Sequence, residues 1–399
     1  MPLVSSVPPE KQLTVLLPLK DRAPFTFRWM AYADRVKFPF KVFIADGGCD
    51  QRVPKLLSDP ASFPNVDYEY VRYPYDETYT QFYSKVDDAL SRVQTPFVAM
   101  ADNDDFFSVE GLGEATRFVV AHPEYVSCGG QRASFWVIAR DTSGAGLLYG
   151  DNIECKYDYC VRSAIAETAK ERILRQWEGA IELTYYNVKR TDELRRQFQV
   201  VKDVDLKDLY LVEVLLEFLT VIAGNTKQLE GLYYACQVNS PGGSAFSHQE
   251  KFGDWFGRML VPTWSEDFGK FVDATSKALA SADRMSFPEA QECIVKAYRM
   301  YVAPDLLSNI LEEPSITVWM PSIRRLVQHL VGLPADSAIR RIGQRLYRRL
   351  PWIPYGFGGG RKLVSGRVGK APQEFEPIAR FLAGPPSPAG WVRDAAHAP

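Results

Sequence analysis

Short apolar runs that alternate with amphipathic segments constrain this chain more than any other feature. Leu13–Pro18, Phe40–Ala45 and Pro96–Ala101 are three such runs, and Asp67–Val71 is a shorter one of alternating character. Apolar runs of this length, bounded by turn formers, read as buried strands. Between and after them lie helical stretches. Phe25–Ala33 is one, Thr80–Val93 carries Phe82, Val86, Ala89, Leu90 and Val93 on one side, and Gly111–Ala121 follows. Strands that alternate with helices predict an α/β fold built on a parallel sheet. Ligands of such sheets bind beyond the carboxyl ends of the strands. Acids stand at three of those ends: Asp21, Asp46 and the group Asp102, Asp104 and Asp105.

The last group is the densest. Carboxylates this close repel one another unless a cation or a donor sits among them. Asp and Asn also belong on the loop after a strand and not within it. Hard oxygen ligands at a strand end suit Mg²⁺ or Mn²⁺ carrying a diphosphate. An acidic turn capping the next helix is the alternative. The net charge of -2 leaves no global basic field for nucleic acid. Six cysteines without a C-x-x-C pair, and four histidines, argue against a structural zinc site. Met1–Lys11 has no apolar core of a secretory signal. The longest apolar stretch, Leu209–Gly224, is broken by Glu213 and Glu217 and reads as a buried helix. A cytoplasmic location is the expectation.

Beyond Gln131 the pattern loosens. Ala166–Glu178 predicts a helix, Glu182–Val188 a strand, Thr191–Phe198 a helix, and Asp203–Ala223 a long apolar helix capped by Gly224 in a left-handed turn. Asn239–Ser244 is a breaker. Phe268–Leu279, Pro288–Val302 and Ile323–Val331 suggest a helical region, and Gly356–Gly360 is a glycine-rich linker. Three parts are expected: residues 1–240 as the catalytic domain, 241–335 as a helical C-terminal region, and 336–399 as a basic helix, linker and disordered tail.

The order of these signals resembles a GT-A-fold glycosyltransferase of the large family-2 type. Pro18-Leu-Lys20-Asp21-Arg22 is similar to that family's Pro-x-x-Asn-Arg loop. Asp46-Gly47-Gly48-Cys49-Asp50 resembles its Asp-Asp-Gly-Ser-x-Asp segment. Asp102–Asp105 resembles its Asp-x-Asp-Asp motif, and Pro123–Gly130 its Pro-x-x-x-x-x-Gly-Gly segment. Asp21, Gly47 and Cys49 depart from the pattern, and Gly47 removes a carboxylate. The resemblance covers residues 12–135 well and 180–237 loosely. It implies a GT-A-like, Rossmann-type mixed sheet flanked by helices, and sugar transfer from a nucleotide-sugar donor, a UDP-sugar being the commonest choice.

The resemblance also implies roles. Donor contacts fall to Pro18, Lys20, Arg22, Asp46, Lys85, Asp102 and Asn103. Asp46 would accept from the base, or else only shape the turn before Gly47. Arg22 and Lys85 would add charge near the phosphates. Asp104 would be the direct ligand of Mn²⁺ or Mg²⁺, Asp102 its support or a ribose contact, Asp105 an alternative ligand, and His248 a further one. The general base is expected at the start of the long helix: Asp208 first, Asp205 next, Glu213 third, with helix capping as their alternative role. Trp177, Tyr185 and Tyr186 could stack on an acceptor sugar or lie in the core. The acceptor would be a glycan, a lipid-linked group or another hydroxyl, as in surface polysaccharide or glycoconjugate synthesis.

Between Pro321 and Lys370, nine Arg and two Lys face one acid, Asp336. On a helix over 337–355, Ile339, Ile342, Leu346 and Leu350 form a stripe flanked by arginines. That suits peripheral contact with the inner membrane face, or a helix docked on the protein. Two other functions fit an acidic α/β site: a nucleotidyltransferase, disfavoured by the lack of Gly in Leu16–Arg22, and a non-catalytic binding module.

Overall fold

The computed structural model describes residues 7–138, 148–150, 152–158, 162–177, 184–240, 258–259, 261–311 and 373–384. The first half builds as the apolar runs require. β1 (Leu13–Leu19), β2 (Lys41–Asp46), β3 (Tyr68–Arg72) and β4 (Phe97–Met100) are parallel and lie in the order β3-β2-β1-β4. Their crossovers contain α1 (Ala23–Arg35), α2 (Arg52–Leu57) and α3 (Tyr79–Arg92). The Thr78 side chain caps α3 reciprocally with Gln81, which satisfies donors that the first turn leaves orphaned.

The second half turns the sheet into a mixed one. β5 (Phe106–Phe107), α4 (Val109–Ala121), β6 (Tyr125–Ile138), β7 (Asn152–Asp158) and α5 (Ala169–Gln176) come first. Then follow β8 (Val188–Arg190), α6 (Thr191–Val204), α7 (Leu209–Ala223) and β9 (Asn225–Gln237). β8 is inserted antiparallel between β4 and β6, β9 runs parallel to β6, and β5 closes the edge antiparallel to β9. The expected α/β class, a mixed sheet flanked by helices, is thus present. Of the strand expected over Glu182–Val188, the described residues 184–187 form a turn, and Val188 opens β8. The single helix expected over Asp203–Ala223 is two, because Asp205 adopts a left-handed conformation (φ 49°) that ends α6. Gly224 does follow α7, but its φ of 175° is extended backbone. Glycine is needed there for space: a Cβ would come within 2.6 Å of Val126.

Strand alternation sorts the core into two layers. Leu13, Val15 and Leu17 of β1, with Val42, Ile44 and Ala99, face one layer together with α1, α4, β6 and β9. Leu16, Phe43, Val98 and Met100 face the other, which holds α3, α5, α6 and α7. A slip of one residue would exchange the two sets, so burial on both faces fixes the register. Two further helices, α8 (Trp264–Asp283) and α9 (Phe287–Leu311), put Phe271, Leu279, Ile294 and Tyr298 into that second layer. The described part of the helical region therefore shares the core of the sheet. The basic stretch 337–355, Ile323–Val331, Gly356–Gly360 and His248 lie outside the described residues. A last helix, α10 (Glu376–Ala383), falls in the stretch expected as linker and tail, and it buries Ile378, Phe381 and Leu382 in the first layer.

Candidate active site

The acidic turn is the link between β4 and β5. Backbone pairing ends at Ala101, whose N–H donates to Leu16, and the chain crosses the carboxyl end of the sheet before re-entering it as Phe106–Phe107. Carboxylate oxygens of Asp102, Asp104 and Asp105 lie within 4.8 Å of one another. The Tyr186 hydroxyl donates to Asp102, and the Ser240 hydroxyl to Asp104. Arg22 Nη2 donates to Asp104 Oδ2 at 3.0 Å. Asp105 Oδ1 accepts from the Gln237 backbone N–H at 2.8 Å. Asn103 turns inward and donates to Thr26 Oγ1 at 3.0 Å, which ties the turn to α1.

These partners do not offset the charge. Burial, then Asp104, pushes the Asp102 carboxyl up to about 6. Burial also raises Asp105 well above the carboxylate range, with Asp104 and Asp102 adding to it. Two carboxyls whose ionisation burial disfavours, in a cluster with oxygen ligands only, fit a hard divalent cation such as Mn²⁺ or Mg²⁺. Two arginines approach it but do not replace such an ion. Arg22 sits at the entrance in a left-handed conformation (φ 57°), as does Asp21. Arg28, fully buried, donates to the Asp104 carbonyl at 2.7 Å and to Gln237 Oε1 at 2.7 Å.

The loops after β1, β2 and β3 form the neighbouring rim. Asp46 is 1% exposed, and its carboxylate accepts from the Gly48 N–H at 2.8 Å, from the Tyr70 hydroxyl at 2.6 Å and from Arg72. A base N–H would have to displace one of these, and Arg72 is the outermost. The expectation of Lys85 as a phosphate charge is corrected. Its ammonium is buried, donating to the Leu19 carbonyl at 2.7 Å and to Asp76. Asp76 in turn fills the space that a side chain at Gly47 would need. The carboxylate missing at position 47 is thus replaced in space by one from the loop after β3. Pro18 is buried in β1 opposite Ala45. Lys20 is exposed and lies 5.3 Å from the Tyr75 ring centre.

The third wall is α7. Asp208 is its N-cap: Oδ1 accepts from the Leu211 N–H at 3.0 Å, and both oxygens accept from the buried Arg258 at 3.0 Å. Asp205 caps α6 and bonds Thr80 and Lys207 at the surface. Neither acid is placed to take up a proton freely. Glu217, two turns into α7, accepts from the Thr184 N–H at 2.7 Å and its hydroxyl at 2.6 Å, which pins the segment carrying Tyr185 and Tyr186 against the helix. Glu213 lies one turn before Glu217 on the same face. It is half-buried, and burial followed by the Asp102 charge pushes its carboxyl up to about 7. Its charge in turn helps raise Tyr79, Tyr83 and Tyr185. Trp177 is core, 1% exposed and stacked on Phe218.

Sequence reading passed over Arg28, Tyr186 as a partner of Asp102, Gln237, Ser240 and Arg258. Arg28 alone carried a local signal, a charge among Phe27, Trp29 and Met30. Tyr186, Gln237 and Ser240 reach the turn, and Arg258 reaches Asp208, from far along the chain.

No protein-family model matches the chain, and no curated protein matches it in sequence. Among solved structures, TarS of S. aureus, residues 1–349 with UDP, is similar at a TM-score of 0.38 and 15% identity, covering 73% of this chain and 90% of that one. A longer TarS chain is matched over 55% of its length. The mannosyltransferase PcManGT from Pyrobaculum calidifontis, in complex with GDP-Man and Mn²⁺, is similar at a TM-score of 0.38 and 12% identity, covering 86% of this chain and 87% of that one. Likeness at this level carries no weight for the chemistry, which rests on the residues above.

Proposed function

We propose that the chain is a metal-dependent glycosyltransferase that moves a sugar from a nucleotide-sugar donor to a hydroxyl acceptor. The observation that carries this reading is the cluster of Asp102, Asp104 and Asp105 at the carboxyl end of the central strands, short of positive charge and flanked by Arg22. Asp104 and Asp102 hold Mn²⁺ or Mg²⁺, with Asp105 behind them. When bound, the cation supplies a Lewis acid and a template for a leaving diphosphate. Arg22 is half-buried at the mouth of the cluster and shares Asp104 with Ser240, so it is poised to exchange its carboxylate for a phosphate oxygen. The donor base and ribose lie toward Asp46, Arg72 and Lys20, with UDP the first choice of nucleotide.

Glu213 acts as the general base. A base works best with a pKa near the working pH, and Glu213 is lifted to about 7 while Asp208 is bound at both oxygens by Arg258. This puts Glu213, expected third, ahead of Asp208 and Asp205. Glu213 takes the proton of the acceptor hydroxyl as that oxygen attacks the anomeric carbon, which suits a single inverting displacement. The half-buried rings of Tyr79 and Tyr185 beside it suit the apolar face of a glycan or lipid-linked sugar.

Release of nucleoside diphosphate from a panel of nucleotide sugars tests the proposal. Turnover that needs Mn²⁺ or Mg²⁺ and is lost in Asp104→Ala is expected. Turnover in Asp104→Ala equal to wild type would overturn it.

A further inference from the structure

α10 enters the molecule immediately behind the acidic turn. Phe106, the residue after Asp105, lies in an aromatic box: its ring centre is 4.8 Å from Tyr32, 6.1 Å from Phe135 and 6.2 Å from Phe381 of α10. Phe381 also meets Tyr32 at 5.4 Å and Tyr149 at 5.7 Å, in edge-on geometries. Phe375, just before α10, meets Phe135 at 5.6 Å. Polar bonds fasten the same helix. The Gly150 N–H donates to the Leu382 carbonyl at 3.0 Å, and Arg35 of α1 donates to the Gly384 carbonyl at 3.1 Å.

Arg28 joins this box to the acids. Its guanidinium lies 5.0 Å from the Phe106 ring centre and donates to the carbonyls of Asp104 (2.7 Å) and Leu148 (3.1 Å). Leu148 and Gly150 flank Tyr149, so Arg28 Nη1 is held by a segment that α10 itself holds. The same Nη1 donates to Gln237 Oε1, and the Gln237 backbone N–H donates to Asp105. A buried arginine has this many fixed partners only while its surroundings stay packed.

We propose that α10 positions the cation site: through Phe381 against Phe106, and through Leu382 on the 148–150 segment, it sets Arg28 and hence the Asp104–Asp105 turn. Phe381 is a positioning residue, since it touches neither cation nor donor. The inference rests on the acidic cluster being a cation site, as proposed above. Partners that hydrogen-bond metal ligands change affinity roughly 10–100-fold when removed, and Phe381 acts one step further out, through Phe106 and Arg28.

The test is Mn²⁺ binding to the full chain, measured by titration calorimetry with the metal alone and paired with thermal unfolding. Three variants are compared: Phe381→Ala, Phe381→Leu and Ile294→Ala, the last in the opposite core layer. Phe381→Ala is expected to weaken Mn²⁺ by up to about tenfold, Phe381→Leu to recover part of the loss, and Ile294→Ala to lower the unfolding temperature with unchanged affinity. Equal Mn²⁺ affinity in Phe381→Ala and wild type would overturn the role of α10. So would equal weakening in Ile294→Ala, which would make the effect one of general stability. If Phe381→Ala does not fold, Phe381→Leu carries the comparison, and wild-type affinity there overturns the role. Absence of Mn²⁺ binding to wild type would instead remove the cation site itself.

Discussion

Two acids on one helix are set to different tasks by their partners. Asp208 carries an N-terminal cap and a two-pronged bond from Arg258, a side chain 2% exposed. Breaking such a buried pair costs about 3–5 kcal/mol. Asp208→Ala is therefore expected to lower thermal stability markedly. Glu213 has a raised pKa and, as the proposed base, acts in turnover, so Glu213→Gln is expected not to lower the unfolding temperature, to raise it above pH 7, and to lower kcat by roughly 10²–10⁴-fold. The acid limb of wild-type kcat should fall away below about pH 7. The reverse pattern in the two variants would return the base to Asp208. Asp102 allows a second check. Its pKa is raised from 3.8 to about 6 on folding, so between those values the folded state binds the extra proton and stability falls as pH rises. Without metal, Asp102→Asn should be more stable than wild type above pH 6, by on the order of 1–3 kcal/mol, and the gain should vanish below pH 4. Paired urea melts at pH 8 and pH 4 measure it; a gain that grows on acidification would contradict the sign.

At the scale of elements, the site is a meeting of loops that the strands deliver to one edge. Gly47 shows how tightly they meet. A Cβ there would collide with the Asp76 carboxylate and disturb its buried pair with Lys85. Gly47→Ala is expected to destabilise by about 1–3 kcal/mol and to weaken donor binding, as read by thermal unfolding and donor KM. An unchanged unfolding temperature would show that the loops give way freely. β1, β2 and β4 were legible because burial on both faces makes a strand apolar throughout. β6 and β9 were not. Their glycines and polar residues, Gly129-Gly130-Gln131-Arg132 and Gln228-Leu-Glu-Gly231, break alternation where the pairing is bulged. The left-handed stop at Asp205 was hidden too, since a single backbone conformation leaves no periodic trace. The acidic cluster was readable as a site because its ligands are neighbours in sequence. Tyr186, Gln237 and Ser240 approach it only through the fold.

For the molecule as a whole, the sheet separates two cores that meet different demands. The layer with α1, α4 and α10 backs the acidic turn, whereas the layer with α7, α8 and α9 carries Glu213 and Asp208. Because α8 and α9 share that second core, Ile294→Ala is expected to cost about 2–5 kcal/mol and to move one cooperative transition. A separate early transition would instead make 261–311 an independent unit. Among the described residues no helix is long and apolar enough to cross a membrane. The most direct measurement concerns the strand-end cluster itself: calorimetric binding of UDP and GDP in Mn²⁺ and in chelator, to wild type and to Asp104→Ala. Binding that requires Mn²⁺ and disappears with the Asp104 carboxylate is the expected result. Equal binding in chelator, or in the variant, would contradict a cation-bridged diphosphate at Asp102–Asp105.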